Sequence, residues 1–151
     1  MRRVTPFRPV GSGARWGAWT VAAVAVLGPV VAPSQAAQIA VTTALAQRGK
    51  PYVWAADGPG SFDCSGLIMY AYRAAGIGLP HSSAMQAQMG RAVSRADLQP
   101  GDLVAYYSPV SHIAMYVGNG MVVHAPTPGD VVKVAPIDAV GRPTAMRRLV
   151  G

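Results

Sequence analysis

Residues 112–124 read His-Ile-Ala-Met-Tyr-Val-Gly-Asn-Gly-Met-Val-Val-His. Two runs rich in Val, Met and Tyr flank Gly118-Asn119-Gly120, the pattern of two strands joined by a tight turn. Loop length sets the register, and register decides what the two histidines can do. A two-residue Asn-Gly turn would pair Gly118 with Met121 and send His112 and His124 to opposite faces. A three-residue loop, Gly118 to Gly120, pairs Val117 with Met121, so partner numbers sum to 238 and His124 opposes Ala114. The two histidines then become diagonal neighbours on one face, ~7–8 Å apart at the backbone. Glycine at position 120 suits the left-handed residue of such a loop, so the three-residue loop is predicted.

Outward from this hairpin the texture stays strand-like on the C-terminal side. Leu98-Gln99-Pro100-Gly101-Asp102 is a turn, and Leu103–Tyr107, Val131–Val134 and Met146–Val150 read as further strands. The N-terminal side differs. Leu67, Ile68, Ala71, Tyr72 and Ala75 recur at helical spacing within Cys64–Ala75, and Gly76 ends the run. Ala37–Gln47 reads as a helix ended by Gly49-Lys50-Pro51. Ser82 or Ser83 caps a short helix through Gln88, and Tyr52–Phe62 is a Gly/Pro-rich loop. Helices followed by consecutive strands predict an α+β fold, N-terminal helices packed on an antiparallel β-sheet. Trp54 is expected in the core, Tyr106 and Tyr107 one buried and one exposed, and Arg142, Arg147 and Arg148 as a solvated basic end. The methionines read as scattered gap-fillers.

The 151 residues carry 13 Lys+Arg against 6 acids, a net +7. Position reinterprets that charge. Arg2, Arg3, Arg8 and Arg15 precede the apolar run Trp16–Ala32, and Ser34 and Ala36 supply a small-x-small end. This is the layout of an export signal, with cleavage expected after Ala36 and an uncut anchor as the alternative. Domain organisation is thus expected as 1–36 signal peptide and 37–151 a single folded domain, the latter exported (secreted, periplasmic or cell-wall associated) without a stable membrane span. Nine bases against six acids then remain, a net +3 that argues against a nucleic-acid partner. The one Cys excludes a disulfide scaffold and a thiolate-rich metal cluster.

That cysteine carries the chemistry. In Phe62-Asp63-Cys64-Ser65-Gly66-Leu67 it sits where a loop becomes a helix, and unpaired N–H groups and the helix dipole there favour a thiolate. The plainer alternative is a small buried thiol. A thiolate nucleophile works with an imidazole. Cys64 would attack a carbonyl carbon, and His112 would take the thiol proton and return one to the leaving amine. His124 would orient the His112 ring. The Cys64 backbone N–H and Tyr52 are candidate oxyanion donors. Each histidine alone could be a packed strand residue. A metal site of Cys64, His112 and His124 would have three ligands and no nearby Glu, so neither a metal nor a cofactor is expected.

In order along the chain stand Pro51-Tyr52-Val53-Trp54, Phe62-Asp63-Cys64-Ser65-Gly66-Leu67, Leu79-Pro80-His81-Ser82-Ser83, Leu98-Gln99-Pro100-Gly101-Asp102-Leu103, Ser111–Gly118 and His124-Ala125. This series, over about residues 40 to 137, resembles the NlpC/P60 cell-wall peptidases. The resemblance implies a papain-like fold with a Cys-His-His triad of Cys64, His112 and His124. It implies cleavage of peptidoglycan stem peptides, usually at the γ-D-glutamyl to meso-diaminopimelate bond. Tyr52 would face the nucleophile, Asp63 and Ser65 would contact the free amino end of the stem peptide, and Ser82 and Ser83 would line the groove. Two positions depart from the family pattern: Ala55-Ala56 stands where Gly-Gly is common, and His81 where Arg is common. A wall-peptide binding module without turnover, and a cysteine amidase or acyltransferase on the same fold, are the competing readings.

Overall fold

Helix α1 spans Gln35–Ala46 and buries Ala37, Ala40 and Ala44, the three- and four-residue spacing of one helix face. Ser34 caps it by accepting a hydrogen bond from the Ala37 N–H. The helix therefore begins two residues before the predicted start, and the predicted boundary after Ala36 falls in its first turn. The computed structural model describes residues 33–150. The basic stretch and apolar run of the predicted export signal lie outside the described residues. No helix of the described residues is long and apolar enough to cross a membrane.

Helix α2, Cys64–Ala74, packs its face of Leu67, Ile68, Ala71 and Tyr72 against α1 and the sheet. The short helix α3, Ser83–Gln86, is capped by Ser82. Six strands follow: β1 (Arg91–Ala92), β2 (Leu103–Tyr106), β3 (His112–Gly118), β4 (Met121–His124), β5 (Lys133–Pro136) and β6 (Pro143–Arg148). They form one antiparallel sheet in the order β1-β6-β2-β3-β4-β5. The predicted α+β fold is observed. Alternation divides the sheet residues: Leu103, Ile113, Met115 and Val123 join the core with α1 and α2. Val104, Tyr106, Ala114 and Val122 pack on the other face against Ile137 of α4, Ile137–Val140.

The β3–β4 hairpin corrects the predicted loop and keeps its consequence. At the tip Gly118 pairs with Met121 around Asn119 and Gly120, both at positive φ, as a two-residue turn requires. A register shift at Val117 then restores the predicted ladder, with Tyr116 opposite Val122 and Met115 opposite Val123. The extra residue sits in the strand rather than in the loop. β5 also differs, beginning at Lys133 rather than Val131. Val131 and Val132 instead pair with the loop after α1, through a Pro51–Val131 bridge and the Lys50 and Gly49 backbone.

Of the three C-terminal arginines expected to be solvated, Arg142 is exposed, whereas Arg147 and Arg148 are engaged by the fold. Arg147 donates to the carbonyls of Met89 and Gly90. Arg148 holds Asp102 with two bonds, Nε to Oδ1 at 2.9 Å and Nη2 to Oδ2 at 2.8 Å. Both side chains are nearly buried, at 10% and 3% exposure. Removing one partner strands the other charge, so Asp102→Ala is expected to lose about 3–5 kcal/mol of stability in chemical denaturation. Ala55 lies in the left-handed region with φ of 63°. Ala55→Gly is expected to stabilise the fold by about 1 kcal/mol, read from the same denaturation curves.

Candidate active site

Cys64 is the first residue of α2, and Asp63 before it is the N-cap. The cap is heavily engaged. Asp63 Oδ1 accepts from the Gly66 N–H at 2.6 Å, from His81 Nε2 at 2.8 Å and from the Ser65 hydroxyl at 3.4 Å. Its Oδ2 accepts from the Ala55 N–H at 3.0 Å. One carboxylate thus joins the loop before the cysteine, the helix that carries it, and the segment before α3. Gly66 permits this closeness: a Cβ there would meet the Ala56 carbonyl oxygen at 2.0 Å. That same carbonyl accepts from the Asp63 N–H.

Cys64 lines a cleft of about 500 Å³ together with Tyr52, Trp54, Asp63, Ser65, His81, Ser82, Ser83 and Ser111. The thiol is half-buried rather than sealed. Burial first, and then the Asp63 charge, push its pKa up; backbone N–H groups of Ile113, Ser65 and Cys64 pull the other way. The N–H groups at the helix mouth favour the thiolate as expected, but they are the smaller influence. Desolvation outweighs the terminal N–H groups, and the sulfur rests as a thiol.

The Ile113 N–H that faces the sulfur belongs to the residue after His112, at the head of β3. The restored register brings His112 and His124 together as predicted: His112 Nε2 and His124 Nδ1 share a hydrogen bond at 2.9 Å, with ring planes 76° apart. Both rings are buried, and His112 also lies against Tyr106, 5.7 Å between centroids. Burial lowers both pKa values to about 4, helped at His112 by His124 and at His124 by the Lys133 charge. The pair is neutral at ordinary pH. His124 Nε2 is buried with no hydrogen-bond partner among the described residues.

The remaining predicted residues all line the cleft, with different freedom. The Tyr52 pKa is raised by burial and by Cys64 and Asp63, which keeps its hydroxyl protonated and able to donate. The Ser82 hydroxyl accepts from the Met85 N–H as the α3 cap, and Ser65 is turned toward Asp63. Trp54 is not in the core: it is 80% exposed on the cleft wall. Sequence reasoning missed Trp54, Ser111 and Gln86 as parts of the site. The signal for Trp54 was its place in a Gly/Pro-rich loop beside Tyr52. Among the described residues no group of three or more His, Cys, Asp or Glu side chains is placed to hold a metal ion.

The NlpC/P60 family pattern matches residues 49–148. This chain belongs to the NlpC/P60 family. A Mycobacterium tuberculosis protein named "Probable endopeptidase" is 50% identical over 101 residues, 67% of this chain and 26% of the relative. Peptidoglycan endopeptidase RipA of the same organism is 35% identical over 128 residues, 75% of this chain and 27% of RipA. This chain thus spans about a quarter of the length of those relatives. A solved structure of a RipA variant superposes with a TM-score of 0.70 at 32% identity, covering 77% of this chain and 63% of that one. Solved RipA variants are altered at a cysteine, a histidine and a glutamate, the last two 12 positions apart. The separation of His112 and His124 is the same.

Two expectations follow from this geometry. Gly66→Ala must push the Ala56 carbonyl away, at a cost of about 1–3 kcal/mol in denaturation midpoint experiments. The neutral histidine pair makes stability pH-dependent. Between the ordinary imidazole value of 6.5 and about 4, the unfolded chain binds protons that the folded chain refuses. Stability should fall as pH drops through that window, and the fall should be shallower in a His112→Gln, His124→Gln double variant.

Proposed function

We propose that the protein is a cysteine endopeptidase that hydrolyses peptidoglycan stem peptides through Cys64, His112 and His124. One observation carries the reading: a half-exposed thiol at a helix start lies against the head of β3, whose first residue shares a hydrogen bond with a second buried imidazole. His112 has one ring nitrogen left after that bond, Nδ1. If Nδ1 is to accept the thiol proton, Nε2 must carry a proton and donate to His124 Nδ1. The thiol and the ring are both neutral at rest, so proton transfer accompanies attack rather than preceding it. The sulfur adds to the carbonyl carbon, and the oxyanion meets the Cys64 N–H and the Tyr52 hydroxyl. The protonated ring then returns its proton to the departing amine, leaving a thioester for water to cleave.

The substrate class rests on family membership and on the endopeptidase relatives, RipA among them. The bond proposed is the γ-D-glutamyl to meso-diaminopimelate link, with Asp63 and Ser65 at the free amino end of the stem peptide and Ser82 and Ser83 along the groove, all four lining the cleft with Cys64. Action on wall peptides would require the chain to be exported.

Purified muropeptides incubated with the protein and resolved by mass spectrometry test this directly. Cys64→Ala should abolish cleavage. His112→Ala should lower kcat/KM by about 10³-fold or more, while His124→Ala should keep measurable turnover because only orientation is lost. The acid limb of kcat/KM should lie well below that of free imidazole, since His112 stays neutral down to about 4. Binding of muropeptides with no Cys64-dependent product would establish a binding module instead.

A further inference from the structure

His81 projects into the same cleft as Cys64 but belongs to none of the three catalytic positions. Its ring is fixed from two directions. Nε2 donates to Asp63 Oδ1 at 2.8 Å, an assignment that follows because an ionised carboxylate only accepts. Its backbone is fixed by Gln86, a fully buried side chain whose Nε2 donates both to the Pro80 carbonyl at 2.8 Å and to the Ser65 carbonyl at 3.0 Å. Gln86 thus clamps the residue before His81 to the residue after Cys64. The imidazole keeps 29% exposure, so protons reach it from solvent, whereas the Asp63 side chain keeps 8%.

We propose that His81 is a positioning residue for the nucleophile: its protonated form neutralises the Asp63 carboxylate beside Cys64 and tightens the cap of α2, and its neutral form leaves that carboxylate charge facing the thiol. The proposal rests on Cys64 being the nucleophile. Asp63 is one of the two causes that hold the thiol in its protonated form, the other being burial. A cation bound to Asp63 removes that contribution, so the thiolate forms more readily. The titratable groups that line the cleft with His81 are Asp63, Cys64 and Tyr52, and none of them is a base that could replace it. His112 and His124 do not change charge above about pH 5, because burial holds both near 4. The site therefore carries one solvent-reachable imidazole that couples external acidity to the reactivity of the sulfur.

Alkylation of Cys64 by iodoacetamide reads thiolate formation without any substrate. Rates measured by mass spectrometry on the full chain from about pH 5 to 9 should be compared for wild type, His81→Gln and His81→Arg. Gln keeps a donor without a charge, and Arg keeps the charge at every pH. The wild type should follow the Arg variant at the acid end and the Gln variant at the alkaline end. The Gln variant should be about threefold to tenfold slower than wild type in the acid range, the effect of one neighbouring charge on a thiol. With muropeptides, the same pH-dependent deficit should appear in kcat. A Gln-to-wild-type ratio that does not change with pH overturns the proposal, and this ratio decides the matter even if the Arg variant does not fold. Hydrolysis that survives Cys64→Ala would instead overturn the proposed function, and the alkylation profiles would still be readable.

Discussion

The carboxylate of Asp63 is the tie on which the site depends. Four donors converge on it, from Ala55, Ser65, Gly66 and His81. They come from the loop before Cys64, from the helix that begins with it, and from the segment leading into α3. Each segment alone would place its side chains loosely. Held to one buried anion, they form the wall of a cleft with the sulfur at its base. The side chain that starts the helix also raises the pKa of the thiol beside it, so order is gained at some cost in reactivity.

The second half of the site follows the opposite logic. His112 and His124 are held by burial and by each other rather than by a charge. Among the described residues no carboxylate completes their chain, and His124 Nε2 ends it without a partner. A buried ring nitrogen in that position costs free energy whether it acts as donor or acceptor. Together the two rings make a neutral base, suited to accept a proton transiently and unsuited to store one. A neutral base and a neutral thiol agree with each other, since neither relies on a standing ion pair in a partly desolvated cleft.

Much of this was legible in the chain. The helix of Cys64 showed in the spacing of Leu67, Ile68, Ala71 and Tyr72, and the strands showed in their Val and Tyr runs. The pairing of the two histidines followed from register arithmetic on thirteen residues, because strand period leaves only two outcomes. The position of the extra residue did not follow. A bulge at Val117 and a three-residue loop have the same effect on every residue beyond them, so the pattern cannot separate them. Val131-Val132 misled for a different reason: their apolar pattern is real, but their partner is the loop at Lys50-Pro51 rather than the neighbouring strand. Trp54 misled because size argued for the core while cleft walls are also built from aromatic rings. The roles of Arg147 and Arg148 depend on carbonyls and a carboxylate at least 46 residues away, which no local window contains.

The half-open thiol has a consequence for the proposed chemistry. The sequence holds one cysteine and therefore no second sulfur to form an internal disulfide. Once oxidised to a sulfenic acid, Cys64 cannot be shielded by its own chain. Either a small thiol from the surroundings caps it, and a reductant later releases it, or further oxidation ends activity for good. Under the proposed mechanism, the redox state of the medium thereby sets how long each molecule continues to work.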